Sequence, residues 1–233
     1  MSERVRLNTS GRKAILVPFV WLLLLLIVYY LCVGSLESIR GFIYFLSAFI
    51  ITTFNSFYMW LFLPGLTNER GDFKEDTKPI DKVYLSLFIL FPAIVTPFVA
   101  GIEMRLLGSA YFGNIIMFLA IGLYIIGYAL NLWAMSVNRH FEGTVRIQND
   151  RDHKVITSGP YSYVRHPGYI AMIIGVIVGP LILGSIYALV PAILTVIVII
   201  SRTAYEDKTL HDELEGYKEY ASNVRYRLIP WIW

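Results

Sequence analysis

Long apolar runs broken by short polar stretches dominate this chain. In order they occupy 14–33, 41–63, 83–102, 112–136, 168–183 and 186–201. A helix needs roughly 20 mostly apolar residues to cross about 30 Å of hydrocarbon, so the first four runs predict spanning helices. The last two are shorter, and only Gly184 and Ser185 separate them. They predict a tight helical hairpin in which Gly175, Gly179 and Pro180 allow close packing or a kink. The pattern as a whole predicts an all-α polytopic membrane bundle of about six transmembrane segments. An N-terminal four-helix membrane region covers 1–136, and a loop, hairpin and tail cover 137–233, integrated as one domain.

Composition agrees with the pattern. Of 233 residues, 56% are hydrophobic and 16% charged, whereas soluble domains carry about a quarter charged residues. Cys32 is the single cysteine, which excludes an intramolecular disulfide and any thiolate-built metal cluster. Arg4, Arg6, Arg12 and Lys13 precede the first apolar run as in a secretory leader. That run is longer than a cleavable core and no small-residue cleavage site follows, so it reads as a retained first span. With a cytoplasmic N-terminus and six crossings, every one of the 20 Lys and Arg except Arg40 and Arg105 falls on the cytoplasmic side. Such asymmetry sets orientation, so a multi-pass protein with both termini cytoplasmic is expected. The connector Thr67–Lys82 mixes charges of both signs and reads as a solvated link.

Two polar islands flank the hairpin. The first runs from His140 to Tyr169 and ends in Arg165-His166-Pro167-Gly168-Tyr169. Pro167 suits the first turn of a helix, where its missing N–H goes unused, and Gly159-Pro160 marks a turn. The second island is Ser201-Arg202-Thr203-Ala204-Tyr205-Glu206-Asp207. On a helix, Arg202 and Glu206 stand at i and i+4 and share a face. A hairpin returns the chain to the surface it left, so the islands are expected to meet in one pocket. Taken singly, an arginine there anchors a helix end, the tyrosines form an interfacial belt, and Arg202 with Glu206 is a surface ion pair. Their joint clustering at both ends of one hairpin is what points to a ligand site. His140, His153 and His166 lack a helical ligand spacing such as HExxH, and no metal is expected.

The segment HKVITSGPYSYVRHPGY, then the apolar hairpin, then RTAYED, resembles the isoprenylcysteine carboxyl methyltransferase family, membrane enzymes related to phospholipid methyltransferases. The resemblance covers roughly 131–230. It implies S-adenosylmethionine as methyl donor, bound by Gln148, His153, Lys154, Val155, Ile156, Tyr161, His166, Pro167, Gly168, Tyr169 and Glu206. It also implies that Arg202 and Glu206 are catalytic, with Arg202 on the acceptor's carboxylate. The family's paired glutamates stand here as Glu206-Asp207, which leaves the role of Asp207 in doubt. The implied acceptor is a lipophilic or prenylcysteine-like carboxylate entering from the bilayer among membrane lipids. No nucleic-acid partner is expected, and the oligomeric state stays open.

A carboxylate acceptor is already ionised at neutral pH and needs no base. An amine acceptor, as in phospholipid methylation, needs one and gains nothing from a carboxylate-gripping arginine. Two further alternatives stand beside these: a sterol-type membrane reductase using a nicotinamide cofactor, and a transporter or lipid-binding scaffold. The last would place charges midway along the spans, where the sequence has almost none although Asn55, Asn114 and Asn131 are polar.

Overall fold

The computed structural model describes residues 5–71, 74, 77–108 and 110–233, and among them every regular element is helical. Arg4 of the basic N-terminal segment lies outside the described residues. Helix α1 (Thr9–Val33) is started by Asn8, whose side chain accepts from the Gly11 amide, and stopped by Gly34 at φ 74°. That left-handed geometry is freely available only to glycine. Ser38 caps α2 (Ile39–Phe62), and a short α3 (Pro64–Glu69) follows. Next, α4 (Pro79–Leu90) runs through a π turn at Phe91–Val95 into α5 (Thr96–Leu107). Pro92 has no N–H for the helical ladder, and the widened turn accommodates the missing bond. The remaining elements are α6 (Asn114–Val137), α7 (Pro167–Leu183), α8 (Leu189–Glu213) and α9 (Tyr217–Asn223).

Five of these are long and apolar enough to cross a membrane: α1, α2, α4–α5 taken as one span, α6 and α8. The sixth, α7, has 17 residues and rises about 25 Å. Leu23, Leu31, Phe54, Phe118 and Ile126 stand exposed on the outside, as a lipid-facing surface requires. The chain is a multi-pass membrane protein.

Small residues set the closest approaches. A Cβ on Gly127 would stand 2.8 Å from Ile174 Cγ2, so the α6–α7 contact, the most extensive in the molecule, depends on a bare backbone there. On α5, a Cβ at Gly101 would lie 2.7 Å from the Tyr29 carbonyl of α1. One end of the bundle is latched by two buried charges. Arg40 donates to the Ile182 carbonyl at 3.3 Å and to Asn114 Oδ1 at 3.0 Å. Glu103 accepts from the Ser185 hydroxyl and from the Ile186 and Tyr187 amides, both at 3.1 Å.

That carboxylate corrects one boundary. The two-residue turn expected at 184–185 is a five-residue link, Gly184 to Ala188, because Glu103 draws the 185–187 backbone away from helical pairing. Past the apolar run α8 continues to Glu213, as the shared helical face of Arg202 and Glu206 required, and carries the second polar island on the same rod. Lys78, Asp81, Val145 and Glu213 gather at the opposite end, where Lys78 Nζ reaches Glu213 at 2.7 Å and its amide reaches the Val145 carbonyl at 3.2 Å.

Candidate functional site

The α6 chain leaves its helix at Asn138, whose side chain accepts from the His140 amide at 2.8 Å and donates to Tyr161 Oη at 2.9 Å. Gln148, 2% exposed, then closes the loop. Its Nε2 donates to the His140 carbonyl at 2.7 Å, and its Oε1 faces His140 Nδ1 at 3.2 Å. Asp152, at φ 50°, reverses the chain. His153 can therefore lie against His140, with ring centroids 4.5 Å apart. Backbone N–H groups of Gln148 and Lys154 donate to His153 Nδ1 and His140 Nε2, each at 3.3 Å. Rings that accept this way are neutral. Burial lowers the pKa of both, His153 to about 4, with its neighbour His140 and nearby arginines adding to the effect.

The second island meets the first at Asp207. Its carboxylate receives Arg165 Nε at 2.7 Å, Tyr217 Oη at 2.9 Å and Arg227 Nε at 2.7 Å, and stands 3.0 Å from His166 Nε2. Arg165 also donates to the carbonyls of Val224 and Arg225, both at 2.8 Å. Amides of Arg165 and His166 pair with the carbonyls of Tyr226 and Arg227, each at 2.9 Å. The residue whose role the sequence left in doubt is the hub that ties α7, α8 and the C-terminal segment together.

At the preceding position of α8, Glu206 accepts a short hydrogen bond from Tyr169 Oη. Arg202 does not pair with Glu206, as their helical spacing suggested. Its Nε and Nη2 grip Asp81 at 2.6 and 3.1 Å, and Nη2 also donates to the Gly143 carbonyl at 2.6 Å. Its guanidinium lies 5.5 Å from the Tyr169 ring centroid. Asp81, fully buried at the start of α4, accepts the Val145 amide at 2.8 Å as well. The connector read as a solvated link thus delivers buried site residues, because its charges have partners far along the chain. Thr67 and Thr77 are buried too, and Arg70 Nη1 donates to the Phe141 carbonyl at 2.8 Å with its guanidinium 5.2 Å from the Phe141 ring.

These elements enclose a cavity of about 670 Å³, within the range of small-molecule sites. Arg202 and Glu206 line it. So do Gln148, His153, Lys154, Val155, Ile156, Tyr161, His166, Gly168 and Tyr169. Pro167 does not: it is buried in the first turn of α7 and shapes the helix start. The lining changes character along its length. A polar lobe lies among the 138–161 loop, Glu206 and Tyr217. An apolar lobe continues between helices past Trp21, Leu25, Phe88, Pro92, Met172 and Leu183. Arg70 and Tyr217 belong to the polar lobe and were missed in the sequence; for Arg70 only its place in a mixed-charge connector was visible. No cluster of three or more His, Cys, Asp or Glu suited to a metal occurs among the described residues.

Residues 120–212 match the model of the isoprenylcysteine carboxyl methyltransferase (ICMT) family. The matched stretch runs from inside α6 to the last turn of α8, and so takes in the loop, α7 and the Arg202–Asp207 segment. The solved structure of a eukaryotic intramembrane Ras methyltransferase, ICMT, is also similar. It covers 97% of this chain and 99% of that chain, at 16% identity and a TM-score of 0.45. Among curated proteins, none matches the chain.

Proposed function

We propose that this chain is an integral membrane S-adenosylmethionine-dependent methyltransferase acting on a lipophilic, carboxylate-bearing acceptor that enters from the bilayer. The observation that carries this reading is one cavity joining a polar lobe, lined by the residues of the resemblance except Pro167, to an apolar lobe between spans. The methyl donor's own chemistry fits the residues present. An adenine needs apolar walls with a few polar groups, which Val155, Ile156 and Tyr161 supply beside Gln148. An ammonium needs a carboxylate, and among the described residues the hydrogen-bond partner of Glu206 is a tyrosine hydroxyl. When bound, the donor would supply a methyl group activated by a sulfonium.

The chain's part is to hold, orient and dry. Glu206 would take the donor's amino group, while His166, Tyr169 and Tyr217 border the reacting region, where aromatic faces favour a cation. An acceptor carboxylate needs no base, so proximity and exclusion of water are what the protein provides. With the basic residues inside, the polar lobe would open to the cytoplasm. Residues 1–136 would supply the lipid-side wall and 137–233 the donor side, acting as one unit. Arg202 holds Asp81 with its fork, which leaves one nitrogen, Nη1, for an acceptor's carboxylate.

That same engagement supports a second reading, an acceptor methylated on nitrogen, such as an amine-bearing lipid. Membranes containing the protein, given tritiated methyl donor, test both. Label that alkali releases as methanol supports the ester; label that resists alkali but sits on lipid supports the amine. No transfer to any lipid-extractable product, with no binding of S-adenosylhomocysteine, would overturn the methyltransferase reading.

A further inference from the structure

Five flexible cations line the cavity: Arg70, Arg146, Lys154, Arg165 and Arg202. Four are matched. Arg146 holds Glu142 at 2.9 Å and Asp150 at 2.8 Å, and Lys154 reaches Asp152 at 2.7 Å. Arg165 and Arg202 are committed to Asp207 and Asp81 at 2.7 and 2.6 Å. Arg70 differs. Among the described residues its hydrogen bond goes to the Phe141 carbonyl and its face to the Phe141 ring, and it makes no ion pair with a carboxylate. Glu142 acts on it from further away but is taken up by Arg146 and Arg151. A guanidinium held in a low-dielectric wall without a counter-charge is costly unless an anion joins it.

The acidic side of the cavity shows the complementary vacancy of charge. Glu142 is shared between two arginines, whereas Glu206 has the Tyr169 hydroxyl and no cation within ion-pair distance among the described residues. Arg70 and Glu206 both line the cavity, as does Tyr161. One unmatched cation and one unmatched anion in the wall of one cavity complement a group that carries both charges. An α-amino-acid head, with its ammonium and carboxylate on one carbon, is such a group. With one of its five N–H groups on the Phe141 carbonyl, four remain on the planar Arg70 fork, which suits a carboxylate better than a lysine would.

We propose that Arg70 binds the α-carboxylate of the methyl donor's amino-acid tail, opposite Glu206 on its ammonium. This rests on the methyltransferase reading above and adds a residue from outside the family-matched stretch. The acceptor's carboxylate is the other source of the same chemistry, and the test separates the two. Titration calorimetry of purified wild-type, Arg70→Gln and Arg70→Lys protein would use two ligands: S-adenosylhomocysteine, which has the tail, and 5′-methylthioadenosine, which lacks it.

In Arg70→Gln, affinity for S-adenosylhomocysteine should fall roughly 10- to 100-fold while that for 5′-methylthioadenosine stays unchanged, with Arg70→Lys between. Equal losses for both ligands would show that Arg70 acts only by holding the Phe141 loop, and would overturn the proposal. Unchanged affinity for both would overturn it too; a rise in acceptor KM alone would then assign Arg70 to the acceptor. Wild-type protein that binds neither ligand would instead fail the methyltransferase reading itself, and this proposal with it.

Discussion

Replacing Asp207 with asparagine removes one charge from a buried hub without changing its shape. Asp207 is 4% exposed and Arg165 8%. Oδ1 serves Arg165 Nε, His166 and Tyr217, while Oδ2 serves Arg165 Nη2 and Arg227. An asparagine keeps one of these two acceptors and turns the other into a donor facing arginines. Breaking a buried ion pair from one side costs roughly 3–5 kcal/mol, since the remaining charge stays desolvated. At about 2–4 °C per kcal/mol for a chain of this size, the melting temperature should drop by about 6–20 °C. Thermal unfolding in detergent, followed by tryptophan fluorescence, measures it. Asp207→Glu keeps the charge but adds a methylene to a packed site, which costs about 1–3 kcal/mol. The expected order is wild type, then Glu, then Asn. An asparagine variant melting within about 2 °C of wild type, or one outlasting the glutamate, would refute the hub.

Three further outcomes follow from the same geometry. Asp81→Asn and Arg202→Gln should each destabilise by about 3–5 kcal/mol, and the double variant by about 1–3 kcal/mol less than their sum; additive effects in denaturant titrations would dissolve the pair. Gly168→Ala should weaken S-adenosylhomocysteine binding, because a Cβ there would stand 2.6 Å from Phe141 Cζ and displace the ring that Arg70 rests on; unchanged binding in calorimetry would count against that contact. Acidification should loosen the 138–154 loop. His153 titrates at about 4 in the fold against about 6.5 free, so unfolding takes up a proton between those values. Stability is then full above pH 6.5 and falls as pH drops toward 4. A His153→Gln variant should flatten that part of the melting-temperature profile, and one that keeps the wild-type slope would rule the residue out.

The spans were legible because hydrocarbon tolerates little else: an apolar run of the right length has few readings. The first polar island was legible because Pro167 and Gly159 carry local geometry in their own chemistry, and turns are local. What stayed hidden depends on distance along the chain. Asp81 and Arg202 are 121 positions apart, and a mixed-charge connector such as 67–82 has the same composition whether it is solvated or inserted. Asp207 looked like a weaker copy of Glu206, because nothing in the RTAYED segment announces Arg165, Tyr217 and Arg227. The π turn at Phe91–Val95 was invisible for a related reason: Pro92 announces a missing bond but not whether the helix breaks or widens.

Under the proposed reading, a cavity that takes its donor from water and its acceptor from lipid would see the two reactants on different concentration scales. The donor's saturation would follow its molarity in bulk, while the acceptor's would follow its mole fraction in the bilayer, unaffected by total volume. Diluting the acceptor with inert phospholipid at constant bulk amount should therefore slow turnover, whereas adding buffer should not, once the donor is held fixed.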